Sequence, residues 1–167
     1  MMTIFLLRHA IAVPRGTEEY PGDDRPLTPD GVAKMEKNAA GMLGLGLEFD
    51  AIIHSPLSRA RDTARIVRKA MKPGCPVSSS DALLPDADPA GILAELSGAE
   101  RRNAVLLVGH EPHLGLLGAG LLGSRNPSVV LRKGGLARID ADEPAPGAGR
   151  LIWMLTPRQL RMIGEAR

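Results

Sequence analysis

Three short apolar runs, residues 2–7, 50–54 and 104–110, set the frame for this chain. Each breaks off at once into polar or turn residues: Arg8-His9 after the first, Ser55-Pro56 after the second, Gly109-His110-Glu111-Pro112 at the end of the third. Apolar runs this short, bounded so sharply, read as strands buried on both faces. Helix-start signals separate them. Thr28-Pro29-Asp30 offers an N-cap, a first-turn proline and a carboxylate at the positive end of a helix dipole. That helix is expected to reach about Leu45 and stop in the glycines at 44 and 46. Ser55-Pro56 repeats the signal, with Ala60, Ala64, Val67 and Met71 on one face and Pro73 as the stop. Residues 90–96 and 112–122 read as further helices, and Thr156-Pro157 caps a last one to about Ile163. Residues 77–79, 129–131, 136–139 and 151–155 read as additional strands.

Strands alternating with helices imply an α/β three-layer sandwich, a mostly parallel central sheet flanked by helices, with the late strands antiparallel. Residues 11–27 form a loop rich in proline, glycine and charge, and residues 140–149 a mobile surface loop. No repeat or linker divides the chain, and 167 residues suffice for one domain, 1–167, with a substantial core.

Composition excludes several function classes. A net charge of +2 and 2% aromatic residues give neither a basic surface nor a stacking platform for nucleic acid. The longest weakly polar stretch, residues 114–124, is far short of the roughly 20 residues of a membrane span. The apolar run at Ile4 is too short for a secretory signal. The single cysteine, Cys75, cannot form an intrachain disulfide and reads as a loop thiol suited to a reducing compartment. A soluble cytoplasmic protein is expected, with neither nucleic acid nor membrane as partner.

Ligands of open parallel sheets bind beyond the carboxyl ends of the strands. There the three runs bring Arg8, His9, Arg59 and His110. Arginine presents a planar fork that matches phosphate oxygens. A neutral imidazole with one nitrogen held by an acceptor can accept a phosphoryl group on the other. Two of the segments also enter helices, whose first turns favour anions. The residues alone therefore read as a phosphate pocket with a candidate histidine nucleophile, against the plainer reading of solvated strand ends.

The same segments resemble a known family. "LLRHAIA", residues 6–12, is similar to the RHG/RHA motif of the histidine phosphatase superfamily, the phosphoglycerate mutase-like fold. "SPLSRARDTA", residues 55–64, resembles its second motif and "VGHEP", residues 108–112, its late G-H motif. "RPLTPDG", residues 25–31, and Trp153 to Pro157 resemble the SixA-type phosphohistidine phosphatase branch. Ala10 stands where the broader superfamily has glycine, as in that branch. The resemblance implies a fold without a large lid and a metal-independent phosphatase with no cofactor. His9 would be the nucleophile that becomes transiently phosphorylated. Arg8 and Arg59 would hold the phosphoryl oxygens, His110 would stabilise the transition state, and Arg25 would be a further phosphate contact or a loop anchor. The implied partner is a phosphorylated protein, such as a histidine-containing phosphotransfer domain or phosphotransferase carrier, in signal transduction.

Larger members carry a glutamate acid between the second and late motifs. Here that interval offers Asp86 and Asp88, with Asp81 and Glu95 farther from the expected place. An imidazole leaving group needs less acid catalysis than an alkoxide. The interval between Arg59 and His110 leaves little chain for a lid, which suits a protein substrate better than an enclosed metabolite. Rival readings are a small-molecule phosphomonoesterase, a phosphate-binding module without turnover, and metal-dependent hydrolysis through His110 and His113 with His9 or His54. His54 itself reads as a strand-end residue or an extra donor.

Overall fold

The computed structural model describes every residue except 72, 73, 101, 128 and 167. Its centre is β1 (Met2–Arg8), which pairs in parallel with β4 (Ala104–Gly109) and antiparallel with β5 (Leu136–Ala141). β2 (Ala51–His54) and β3 (Val77–Ser79) extend the parallel side, and β6 (Gly149–Leu155) extends the antiparallel side, giving the order β3-β2-β4-β1-β5-β6. The sheet is thus mixed, with the late strands antiparallel as expected.

Alternation along β1 builds two cores. Ile4 and Leu6 join Val105 and Leu107 against α3 (Pro89–Gly98) and α4 (His113–Leu121). Phe5 and Leu7 join Leu106 and Val108 against α1 (Pro29–Gly44), α2 (Ser58–Ala70) and α5 (Pro157–Glu165). Among the described residues between α2 and β4, the elements are β3, a 3-10 turn (Asp81–Leu83) and α3.

Local sequence explains most boundaries. Thr28 Oγ1 accepts from Gly31 N (2.9 Å), and Thr156 and Gln159 form a reciprocal capping box at α5. Ser55 is a correction: α2 begins only after Leu57, so Ser55 lies two residues ahead of the cap position, where its hydroxyl accepts from Leu57 N (3.4 Å). Residues 129–131 are a second correction. Val129 and Leu131 are buried, but against α4 and not as a strand of the sheet. Residues 140–149 are a third, since β5 runs to Ala141 and buries Asp140, which accepts from Thr3 Oγ1 (2.9 Å) and Arg138 Nε (2.9 Å). Pro73, the expected stop after α2, lies outside the described residues.

The layer of α1 and α5 depends on two facing glycines, Gly41 and Gly164. A Cβ on Gly41 would collide with the backbone carbonyl of Leu160. Gly41→Ala is expected to destabilise the fold by about 3 kcal/mol, the upper range for overpacking. Gly120→Ala, where nothing lies within 4 Å, should be neutral or slightly stabilising. Urea unfolding of the two variants checks this contrast.

Candidate active site

Register places the chemistry. Arg8 pairs with Gly109 across β1 and β4, so His9 and His110 leave the sheet side by side, with ring centroids 5.2 Å apart. His9 N donates to Gly109 O (3.0 Å) and Ser55 N to Val108 O (2.9 Å), tying all three strand ends together. α2 starts just beyond and buries Arg59 to 2% exposure. Thr63 links that helix to the nucleophile segment: its hydroxyl donates to Arg59 O (2.6 Å) and accepts from Ala10 N (3.0 Å).

These residues border a cavity of about 350 Å³. Arg8, His9, Arg59 and His110 line it from the strand ends, Pro14, Arg15 and Arg25 from the loop after β1, and Pro85, Glu111 and Lys133 from the remaining rim. A larger cavity of about 520 Å³ lies near the opposite strand ends, around Phe49, Met71 and Cys75. Among the described residues its lining has no cation, so the smaller cavity is the one equipped for phosphate.

His9 Nδ1 lies 2.7 Å from Ala10 O. A carbonyl only accepts, so Nδ1 carries the proton and Nε2 keeps its lone pair. Burial, followed by the charges of Arg59, Arg8 and Lys133, lowers the His9 pKa to about 3 against the hydrogen bond to Ala10. Burial and Arg59 likewise lower that of His110 to about 3. His110 Nε2 lies 2.8 Å from Ser55 Oγ, which ties the end of β2 to the end of β4.

Neither imidazole is therefore expected to titrate between pH 5 and 8, which imidazole NMR of the protein without substrate checks. In the unfolded chain the same histidines take up protons near pH 6.5. Protonation thus favours the unfolded chain, and stability should fall as pH drops below 6.5 toward 3.

The arginines are held from behind. Arg59 Nη1 donates to Asp23 O (2.5 Å), and its Nη2 lies 3.3 Å from Asp23 Oδ2. Arg25, 7% exposed, donates through Nη1 to Val13 O (2.5 Å), which anchors the loop. Arg8 Nη1 donates to Leu131 O (3.0 Å). Leu131 N in turn donates to Glu111 Oε1 (2.9 Å), whose Oε2 accepts from Gly115 N (3.2 Å). The first-turn amide of α2 is already taken, since Ser58 N donates to Asp24 Oδ1 (2.7 Å) and holds the Asp24 carboxyl below its usual pKa. That helix end therefore faces a carboxylate of the chain itself.

The two candidate acids do not line the cavity. Asp86 is exposed, and Asp88 caps α3 by accepting from Ala90 N (2.9 Å). His54 is also outside the lining, with Nδ1 2.8 Å from Ser55 O. His113 is buried at the start of α4, also outside it. Among the described residues, no group of three or more His, Cys, Asp or Glu is placed to hold a metal ion. None of their helices is long and apolar enough to cross a membrane. Arg15, Glu111 and Lys133 were not singled out from the sequence. Glu111 adjoins His110 in the motif, and the Gly-Gly pair after Lys133 signals a tight turn, so both carried a readable sign.

Comparison with known proteins places this constellation. The sequence pattern of the histidine phosphatase superfamily (branch 1) matches residues 4–84. An uncharacterized protein of Picosynechococcus is 33% identical over 154 residues, covering 84% of this chain and 90% of that one. The phosphohistidine phosphatase SixA of Escherichia coli is 27% identical over 167 residues, covering 96% of this chain and 98% of its own. The chain belongs to the histidine phosphatase superfamily. Within it, the likeness runs to the SixA-type branch. The structure of the protein histidine phosphatase SixA complexed with tungstate matches with a TM-score of 0.81 at 26% identity, over 95% of this chain and 99% of that one. The superfamily match and the likeness to SixA together support a phosphatase, with its cationic cavity at the strand ends that carry the matched motifs.

Proposed function

We propose that this phosphatase passes the phosphoryl group through His9 and that its substrate is phosphohistidine on another protein in the cytoplasm. The observation that carries the first part is the Nδ1–H bond to Ala10 O, which leaves Nε2 neutral in an arginine-lined cavity. Nε2 attacks phosphorus in line, the P–N bond to the substrate imidazole breaks, and the leaving imidazole takes a proton from solvent. Water then attacks phospho-His9. The new P–O bond replaces the P–N bond, inorganic phosphate leaves with the water's protons shared between it and solvent, and Nε2 regains its lone pair. Arg8, Arg59 and His110 hold the three non-bridging oxygens, and the two guanidiniums balance the charge that spreads over them.

The protein substrate is supported by the short connection between α2 and β4, from which, among the described residues, Pro85 alone joins the cavity lining before β4, and by the likeness to SixA. The route takes no step through Asp86 or Asp88, in keeping with a leaving imidazole that needs little acid catalysis. The test is phosphate release, in the presence of chelator, from a phosphohistidine-bearing protein and from an aryl phosphate. Faster turnover of phosphohistidine, undiminished by chelator, is expected. A preference for the aryl phosphate would move the assignment to a small-molecule phosphomonoesterase, and loss of turnover in chelator would reject the metal-free route.

A further inference from the structure

Lys133 is a cation that this route leaves unused. It stands in a turn stitched directly to the nucleophile segment. Gly134 N donates to Arg8 O (3.0 Å) and His9 O (3.1 Å), Arg8 N donates to Gly135 O (3.2 Å), and Asn38 Nδ2 donates to Gly134 O (3.2 Å). Gly134 lies at φ +79°, and a Cβ there would come within 2.7 Å of Asn38 Nδ2, so the turn has little freedom. These bonds fix Lys133 one residue from a backbone group that touches His9. Its side chain lines the cavity, yet among the described residues it has no ion-pair or hydrogen-bond partner. Burial and the neighbouring charges of Arg8, Arg25 and Arg59 all oppose its own charge.

Arg25 also lines the cavity. Its Nε is buried without a partner, and its nearest carboxylate, on Asp23, is 3.9 Å away and shared with Arg15 and Arg59. A phosphoryl group has three non-bridging oxygens, already matched to Arg8, Arg59 and His110. The remaining positive charge calls for a second anion.

We propose that Lys133 and Arg25 form a second anionic subsite beside the phosphoryl pocket, which takes an acidic side chain flanking the phosphorylated histidine of the substrate protein. This rests on the phosphohistidine reading above. The test compares two phosphohistidine peptides that differ only in glutamate or glutamine beside the phosphorylated residue. At low ionic strength kcat/KM should favour the glutamate peptide about tenfold, with the preference shrinking as salt is added. Lys133→Met should bring the ratio close to one. Lys133→Glu should shift the preference to a peptide with lysine at that place. Lys133 is exposed, so both variants should fold. Equal kcat/KM for the two peptides in the parent protein overturns the subsite. So does an equal loss on both in Lys133→Met, which would assign the lysine to the phosphoryl group itself. Turnover of neither peptide overturns the phosphohistidine reading and the subsite together.

Discussion

His9→Ala is expected to lower phosphate release by about four orders of magnitude or more, the scale seen when a covalent nucleophile is removed. The fold should survive. Among the described residues the His9 side chain makes one hydrogen bond, a local one to Ala10 O, and burial lowers its pKa to about 3, so the folded protein holds it neutral. Removing an imidazole that prefers water should leave the unfolding midpoint at pH 7 nearly unchanged and flatten its decline below pH 6.5. Rapid quench with labelled substrate adds a direct readout. The parent protein should retain label that is stable to base and lost in acid, as an N-phosphorylated imidazole is, and the variant should retain none. Labelled His9→Ala, or rates within tenfold of the parent, would sink the covalent route.

Arg59→Met should cost about a thousandfold in kcat/KM, because on the proposed route its guanidinium meets the charge that builds in the transition state. Unlike His9, it should also cost stability. Arg59 is among the largest fully buried side chains, and Asp23 would lose both of its bonds to it. Asp23 is exposed, so water can replace part of what it loses, and the cost should be about 1 kcal/mol, the low end for a lost partner. Arg59→Lys should not rescue the rate, since a point charge cannot reproduce a planar fork held at one end by a carbonyl and a carboxylate. Steady-state kinetics and denaturant unfolding on the same preparations separate the two losses. A variant with normal stability and normal rate would remove Arg59 from the site.

The parts of the molecule governed by short-range rules were legible in the sequence. β1 and β4 announce themselves as apolar runs, and Thr28 caps α1 as its neighbours suggest. Arg8, His9, Arg59 and His110 were readable because strand ends converge in any sheet of this kind. The failures share a cause. Ser55 carries a cap signature, yet its hydroxyl meets His110, a residue far along the chain. Val129 and Leu131 have the apolar spacing of a strand, but the backbone of Leu131 serves Arg8 and Glu111 instead of a ladder. Asp23, Asp24 and Arg15 sit in a stretch that composition marks only as loop, so nothing local says that it walls the cavity. Pairings across long separations decide these cases, and periodicity does not record them.

β1 pairs on one side with Ala104–Gly109 and on the other with Leu136–Ala141. During synthesis the first strand must therefore wait for most of the chain before either edge is filled. Until then an apolar segment, "MTIFLLR", has two open edges, the condition in which nascent chains need shielding from one another. The turn that fixes Lys133 and cradles the Arg8 carbonyl is made only when residues 134 and 135 have emerged. A ribosome-bound chain arrested before that point should hold no oxyanion, however much helix it has formed, so competence for chemistry arrives late and all at once.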